Sequence, residues 1–137
     1  RVIGIKKPWT FAFEVEISTK RLSKYETTLQ FYKHARLIDR VYWLVSDDYT
    51  KEQILKAKKC INDESFNYHV FVDLEDFRKN GWDAWITNER SERVHTIREN
   101  MQDICGDFYR ELMEKSKGSS TVHVHLNKLK VLGKSKA

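Results

Sequence analysis

The sequence predicts an α/β fold, a mixed sheet flanked by helices, and three local patterns carry that expectation. Residues 11–17, Phe-Ala-Phe-Glu-Val-Glu-Ile, alternate with a period of two. Phe11, Phe13, Val15 and Ile17 therefore share one face of a strand, with Glu14 and Glu16 on the other. From Lys20 the period becomes helical: Leu22, Tyr25, Leu29 and Tyr32 recur at three- and four-residue steps, with lysines and arginines around them. Val41-Tyr42-Trp43-Leu44-Val45 is then a continuous apolar run, suited to a strand covered on both faces. Strands joined through a helix in this way pair in parallel.

The remaining elements follow from the same rules. Residues 1–7 read as a strand that forms a hairpin with 11–17, across a turn fixed by Pro8, the one proline. Asp47-Asp48-Tyr49-Thr50 opens a second helix, with Thr50 as N-cap and Gln53 three residues on; Ile54, Leu55 and Ile61 lie along it. Residues 68–73 form another strand. An irregular stretch follows, with an acidic turn at Asp73–Asp76, then Asn80-Gly81, Trp82 and Trp85. A long helix is expected over 88–117, carrying Val94, Ile97, Met101, Ile104, Phe108 and Leu112 and stopped by Gly118. Residues 121–126 close as a short strand. The organisation predicted is one domain over 1–127 and a basic tail over 128–137.

Composition narrows the class. The chain has 137 residues, of which 40% are hydrophobic, enough for a single core. No apolar run approaches the roughly 18 residues of a spanning helix, so no membrane role is expected. Aromatic residues at 12% argue against a disordered polyelectrolyte. Cys60 and Cys105 lack metal-site spacing and read as reduced thiols of a cytoplasmic protein, with Cys105 on a helix core face. The opening Arg1-Val2-Ile3-Gly4-Ile5 has no initiator Met and reads as the interior of a strand, so the chain is expected to be a fragment of a longer protein.

The net charge of +5 is unevenly spread. Residues 20–40 carry six bases against two acids, residues 115–137 six lysines and no acid, and residues 41–114 ten bases against sixteen acids. Two basic regions flanking an acidic middle suit a polyanion-facing surface; solvated helix faces are the alternative. Glu14 and Glu16 lie on one side of their strand, roughly 7 Å apart along the backbone. Like charges that close resist joint ionisation unless a cation lies between them. A divalent ion with oxygen ligands, Mg²⁺ or Mn²⁺, resolves the conflict and suits phosphodiester chemistry. Lys20, at the start of the next helix, can reach back to neutralise charge or orient a water. A solvent-facing Glu pair is the competing interpretation.

The run Phe13-Glu14-Val15-Glu16-Ile17-Ser18-Thr19-Lys20, then Tyr25, Leu29 and Tyr32, then Asp39-Arg40-Val41-Tyr42-Trp43-Leu44-Val45, resembles the PD-(D/E)XK nuclease-like superfamily. Within it the chain looks most like the replication-relaxation and MobC-type plasmid relaxase branch, over roughly residues 1–73. The resemblance implies a restriction-endonuclease-like core and metal-dependent nicking or cleavage of DNA by a mobilisation or replication protein. It implies that Glu14 matches the central metal-binding acid, that Glu16 stands where the superfamily usually has Lys, and that Lys20 substitutes for that lysine. The catalytic set so implied is Glu14, Glu16 and Lys20, with Mg²⁺ or Mn²⁺ on Glu14 and Glu16. Arg21, Lys24, Lys128 and Lys130 are expected to contact DNA phosphates. The motif also has an Asp before the first hairpin strand; residues 1–10 contain no acid, so that Asp is expected upstream of Arg1 or the domain only binds.

Other candidates carry less chemistry. His123 and His125 share a strand face at a spacing seen in zinc sites but lack further ligands, and His34, His69 and His95 stand alone. No glycine-rich phosphate loop is present. Tyr25 and Tyr32 fall on the apolar stripe and read as core with hydroxyls at the rim, against a nucleophilic alternative. A protein partner, if there is one, is expected on helix 88–117 or on the Trp82/Trp85 loop.

Overall fold

The computed structural model describes residues 9–106, except 36 and 66. Its elements are β1 (Phe11–Glu16), α1 (Leu22–His34), β2 (Arg40–Val45), α2 (Asp48–Cys60), β3 (His69–Asp73), α3 (Leu74–Asn80), a 3-10 turn (Gly81–Asp83), β4 (Trp85–Thr87), β5 (Arg93–Thr96) and α4 (Ile97–Cys105). The strands form one mixed sheet in the order β1-β2-β3-β4-β5. β1, β2 and β3 are parallel, joined through α1 and α2, while β4 and β5 are antiparallel additions. The expected α/β class, a mixed sheet flanked by helices, is the one observed.

Both sheet faces are covered, which is why β2 is apolar throughout. Alternate residues Val41, Trp43 and Val45 pack with Tyr25, Leu29 and Tyr32 of α1 and with Ile54 and Ala57 of α2. Tyr42 and Leu44 face the other way, against Phe11, Phe13, Val72, Ile86 and Ile97. The Phe13 and Tyr42 rings stack there with centroids 5.0 Å apart. Cys105 is buried on α4, as its helix face required. Ile17 lies past the end of β1 and is 70% exposed, so the alternation that placed it on the strand face overran the strand by one residue.

Several sequence-based boundaries are corrected. The helix expected over 88–117 does not begin until Ile97: residues 85–96 form the β4–β5 hairpin instead. Its turn is built by Asn88, whose side-chain oxygen accepts from the Arg90 and Glu92 amides, and by Ser91 at a φ of 61°. Val94, expected on the helix core face, is therefore a half-exposed strand residue. Thr96 caps α4 reciprocally with Glu99, a box that periodicity alone passed over. Residues 107–117 of the expected helix lie outside the described residues, as do the strands at 1–7 and 121–126 and the tail at 128–137. Asp47, rather than Thr50, caps α2: its Oδ1 accepts from the Thr50 amide at 2.8 Å. The acidic turn at Asp73 is the cap and first turn of α3, and Gly81, at a φ of 54°, ends that helix. Trp82 does not lie in a free loop; it packs edge-on against Phe13 and Phe77. Trp85 belongs to β4 and lies under the Arg93 guanidinium.

Two buried polar groups tie the layers together. Lys51 of α2 is 3% exposed; its ammonium donates to Thr87 Oγ1 at 3.0 Å and to the Asn88 carbonyl, pinning α2 to the end of β4. His69 of β3 is buried, and its Nδ1 accepts from Trp43 Nε1 at 3.0 Å, which leaves the ring proton on Nε2, 3.6 Å from Asp63. Burial pushes this imidazole down to about 4, with Asp63 pulling up and Lys58 pushing further down. An unfolded imidazole takes its proton near 6.5. Between those values the unfolded chain binds a proton that the native chain refuses, so stability falls as pH drops from about 6.5 to about 4, by on the order of 3 kcal/mol at most. Urea midpoints measured across that window are expected to fall in the wild type and to fall less in His69→Gln.

Candidate functional site

The two glutamates of β1 point inward, beneath α1. Ala12 precedes them on the same face, and its small side chain lets the helix approach. Glu14 and Glu16 are each only 2% exposed, so neither is a solvent-facing carboxylate. Buried acids need donors, and α1 supplies them. Tyr25 and Tyr32 stand seven residues apart, two turns along one helix face. Tyr32 donates its hydroxyl hydrogen bond to Glu14 Oε2. The Tyr25 hydroxyl accepts from the Lys20 amide at 3.0 Å and lies near enough to Glu16 to feel its charge. The hydroxyls are thus turned onto the acids and not outward to the rim.

Lys20 closes the cluster. Its ammonium is 3.1 Å from Glu16 Oε2, and its side chain remains partly exposed. Glu16 Oε1 is buried without a hydrogen-bond partner among the described residues. A cavity of about 20 Å³ opens between Glu14, Glu16, Lys20, Lys24, Tyr25 and Thr28. A cavity of that size holds one water or one small ion. Glu14, Glu16 and Lys20 line this cavity together. Arg21 and Lys24 are exposed on the first turn of α1 beside them. Lys128 and Lys130 lie outside the described residues.

The phenols are held protonated. Burial first, then the nearby carboxylate, raises Tyr32 far above the usual phenol range. Tyr25 is pushed up to about 12, chiefly by burial and with the charges of Glu16 and Asp47 adding to it. Both are therefore hydrogen-bond donors near neutrality, and a nucleophilic tyrosine is disfavoured. The loop carrying Lys20 is braced from α2: Thr19 Oγ1 meets Thr50 Oγ1 at 2.6 Å, and Thr50 donates to Asp47 Oδ1 at 2.7 Å. The Ser46 amide also binds the Glu16 carbonyl. Sequence reading missed these tyrosine–glutamate pairs. Their available signal was the matching of two acids two apart on a strand with two tyrosines seven apart on the next helix.

Among the described residues no group of three or more His, Cys, Asp or Glu side chains could hold a metal ion. None of their helices is long and apolar enough to cross a membrane. The chain matches no protein-family model, no curated protein and no solved structure.

Removing a donor from a buried carboxylate leaves it undersatisfied. Tyr32→Phe is expected to cost about 1–3 kcal/mol of unfolding free energy in urea. Thr27→Val, on the exposed face of α1 where its hydroxyl bonds only the Ser23 carbonyl, should change it by no more than about 0.5 kcal/mol.

Proposed function

We propose that this domain acts on DNA, cleaving or nicking a phosphodiester with a divalent metal held by Glu14 and Glu16. The observation that supports it is the orphaned Glu16 Oε1, buried beside a second carboxylate, a lysine and an ion-sized cavity. Mg²⁺ is commonly held by only one or two protein carboxylates, with waters and substrate phosphate completing its shell. An all-oxygen pair therefore fits Mg²⁺ or Mn²⁺ without a third acid. Bound there, such an ion would supply charge stabilisation at the phosphoryl group and an acidified water. Tyr32 fixes the orientation of the Glu14 carboxylate, as hydrogen bonds behind metal ligands do. Lys20, partly exposed at the mouth, offers a positive charge to a non-bridging phosphate oxygen as the bond to the leaving oxygen breaks. Arg21 and Lys24 would hold flanking phosphates, giving affinity without sequence preference. The likeness to the replication-relaxation and MobC-type relaxase branch of the PD-(D/E)XK superfamily agrees with this assignment and points to a mobilisation or replication role in the cytoplasm.

A second interpretation has its own observation. Tyr32 already satisfies Glu14 and Lys20 already neutralises Glu16, so the same domain could bind DNA, or dock a protein, with the acids serving structure alone. Calorimetry with Mn²⁺ separates the two. Heat at millimolar Mn²⁺ that disappears in Glu16→Gln supports the metal centre, and no heat in the wild type leaves the binding module. Under either interpretation, log affinity for DNA should fall linearly with log salt, with a slope near −0.9 per phosphate contact on duplex. Loss of Arg21 and Lys24 together should flatten that slope by roughly two contacts, and a salt-independent affinity would remove DNA as the partner. Glu14→Ala should abolish nicking while circular dichroism remains native.

A further inference from the structure

A second cavity, about 700 Å³, opens at the opposite end of the parallel strands. Arg40, at the start of β2, pairs in register with Phe11, whereas Glu16 pairs with Val45. Five residues of strand, roughly 17 Å, therefore separate this cavity from the glutamate pair. Its lining is rich in unanswered donors. Of the four buried side-chain atoms without a partner among the described residues, Arg40 Nε, Ser65 Oγ and His69 Nε2 belong to residues that line it. Arg40 is half-buried, desolvated, and makes no ion pair among the described residues. Lys58 adds a second positive charge to the wall, its ammonium held by the Ser65 carbonyl at 2.6 Å. The acids of the lining, Asp103 and Glu89, are exposed; the charge of Asp103 favours the Arg40 cation, and the two form no ion pair. A desolvated guanidinium without an ion-pair partner is costly unless an anion answers it.

We propose that this cavity binds a phosphate-bearing ligand of nucleotide size, seating the anion on Arg40 and Lys58. Inorganic phosphate alone would leave most of the volume empty, since pockets of 300–1,000 Å³ enclose whole small molecules. Apolar wall residues Ile86 and Ile104, which pack on the same side of the sheet, suit a flat ring beyond the phosphate. The same chemistry is available from a free mononucleotide or from the backbone of a nucleic-acid strand. The site is independent of the glutamate pair and stands whether or not that pair holds metal.

The test is a set of proton–nitrogen NMR titrations with AMP, adenosine, inorganic phosphate and a short oligothymidylate. AMP or the oligothymidylate should shift the Arg40 side-chain and the Ser65 and Asn67 amide signals, with adenosine weaker than AMP. Saturation by AMP alone assigns a free nucleotide, and saturation by the strand alone assigns a backbone phosphate. Arg40→Gln should weaken the binding roughly ten- to a hundredfold, as expected for a lost charged hydrogen bond, and Arg40→Lys should restore part of it. Should Arg40→Gln fail to fold, Lys58→Gln, on a partly exposed side chain, carries the same expectation. Glu14→Ala should leave the affinity unchanged. Adenosine binding as tightly as AMP, no shift with any of the phosphate-bearing probes, or unchanged AMP affinity in the folded charge variants overturns the proposal.

Discussion

The structure is organised around the cost of placing two carboxylates under a helix. Glu14 and Glu16 occupy positions on β1 where an α/β sheet ordinarily puts apolar side chains, and both are almost fully removed from water. An isolated buried carboxylate is strongly disfavoured, so the surrounding elements must supply donors and a counter-charge. Tyr32 and Lys20 meet part of that demand, and the Thr19–Thr50–Asp47 brace holds the loop that carries Lys20. The register of α1 over β1 is thereby set by polar contacts as well as by Leu29 and Trp43. Stability alone would be served as well by apolar residues of similar size.

The parallel half of the fold was legible because its signals are long and consistent. Period-two alternation at 11–17, the stripe Leu22–Tyr32 and the apolar run 41–45 each exceed what a turn or loop sustains, and each marks an observed element, the first overrunning its strand by Ile17. The second half was not, because its elements are short. β4 has three residues and β5 four, below the length at which alternation can be told from a helical face. Val94 and Ile97, three apart, mimic a helix step although a strand end and a helical cap separate them. Local side-chain caps decided these boundaries: Asn88 in the turn, Thr96 with Glu99, Asp73 before α3.

The site was partly legible for a related reason. Strand geometry placed Glu14 and Glu16 on one side, and proximity in sequence brought Lys20 to them. Which partner would face each acid depended on how α1 lies across the sheet, a tertiary fact no local pattern encodes. The Arg40 cavity is further still from sequence view: its walls come from β2, α2, the segment before β3, the β4–β5 turn and α4, residues up to 64 positions apart.

Lys51 carries one more implication. Its desolvated ammonium joins the second helix to the hairpin turn, and through it the short antiparallel annex to the parallel half. The annex cannot peel away without losing the Thr87 and Asn88 oxygens from an ammonium seated above the Phe71 ring. Fraying at that edge therefore breaks both hydrogen bonds of the Lys51 ammonium at once, which couples the annex to the second helix despite the brevity of the border between the two halves.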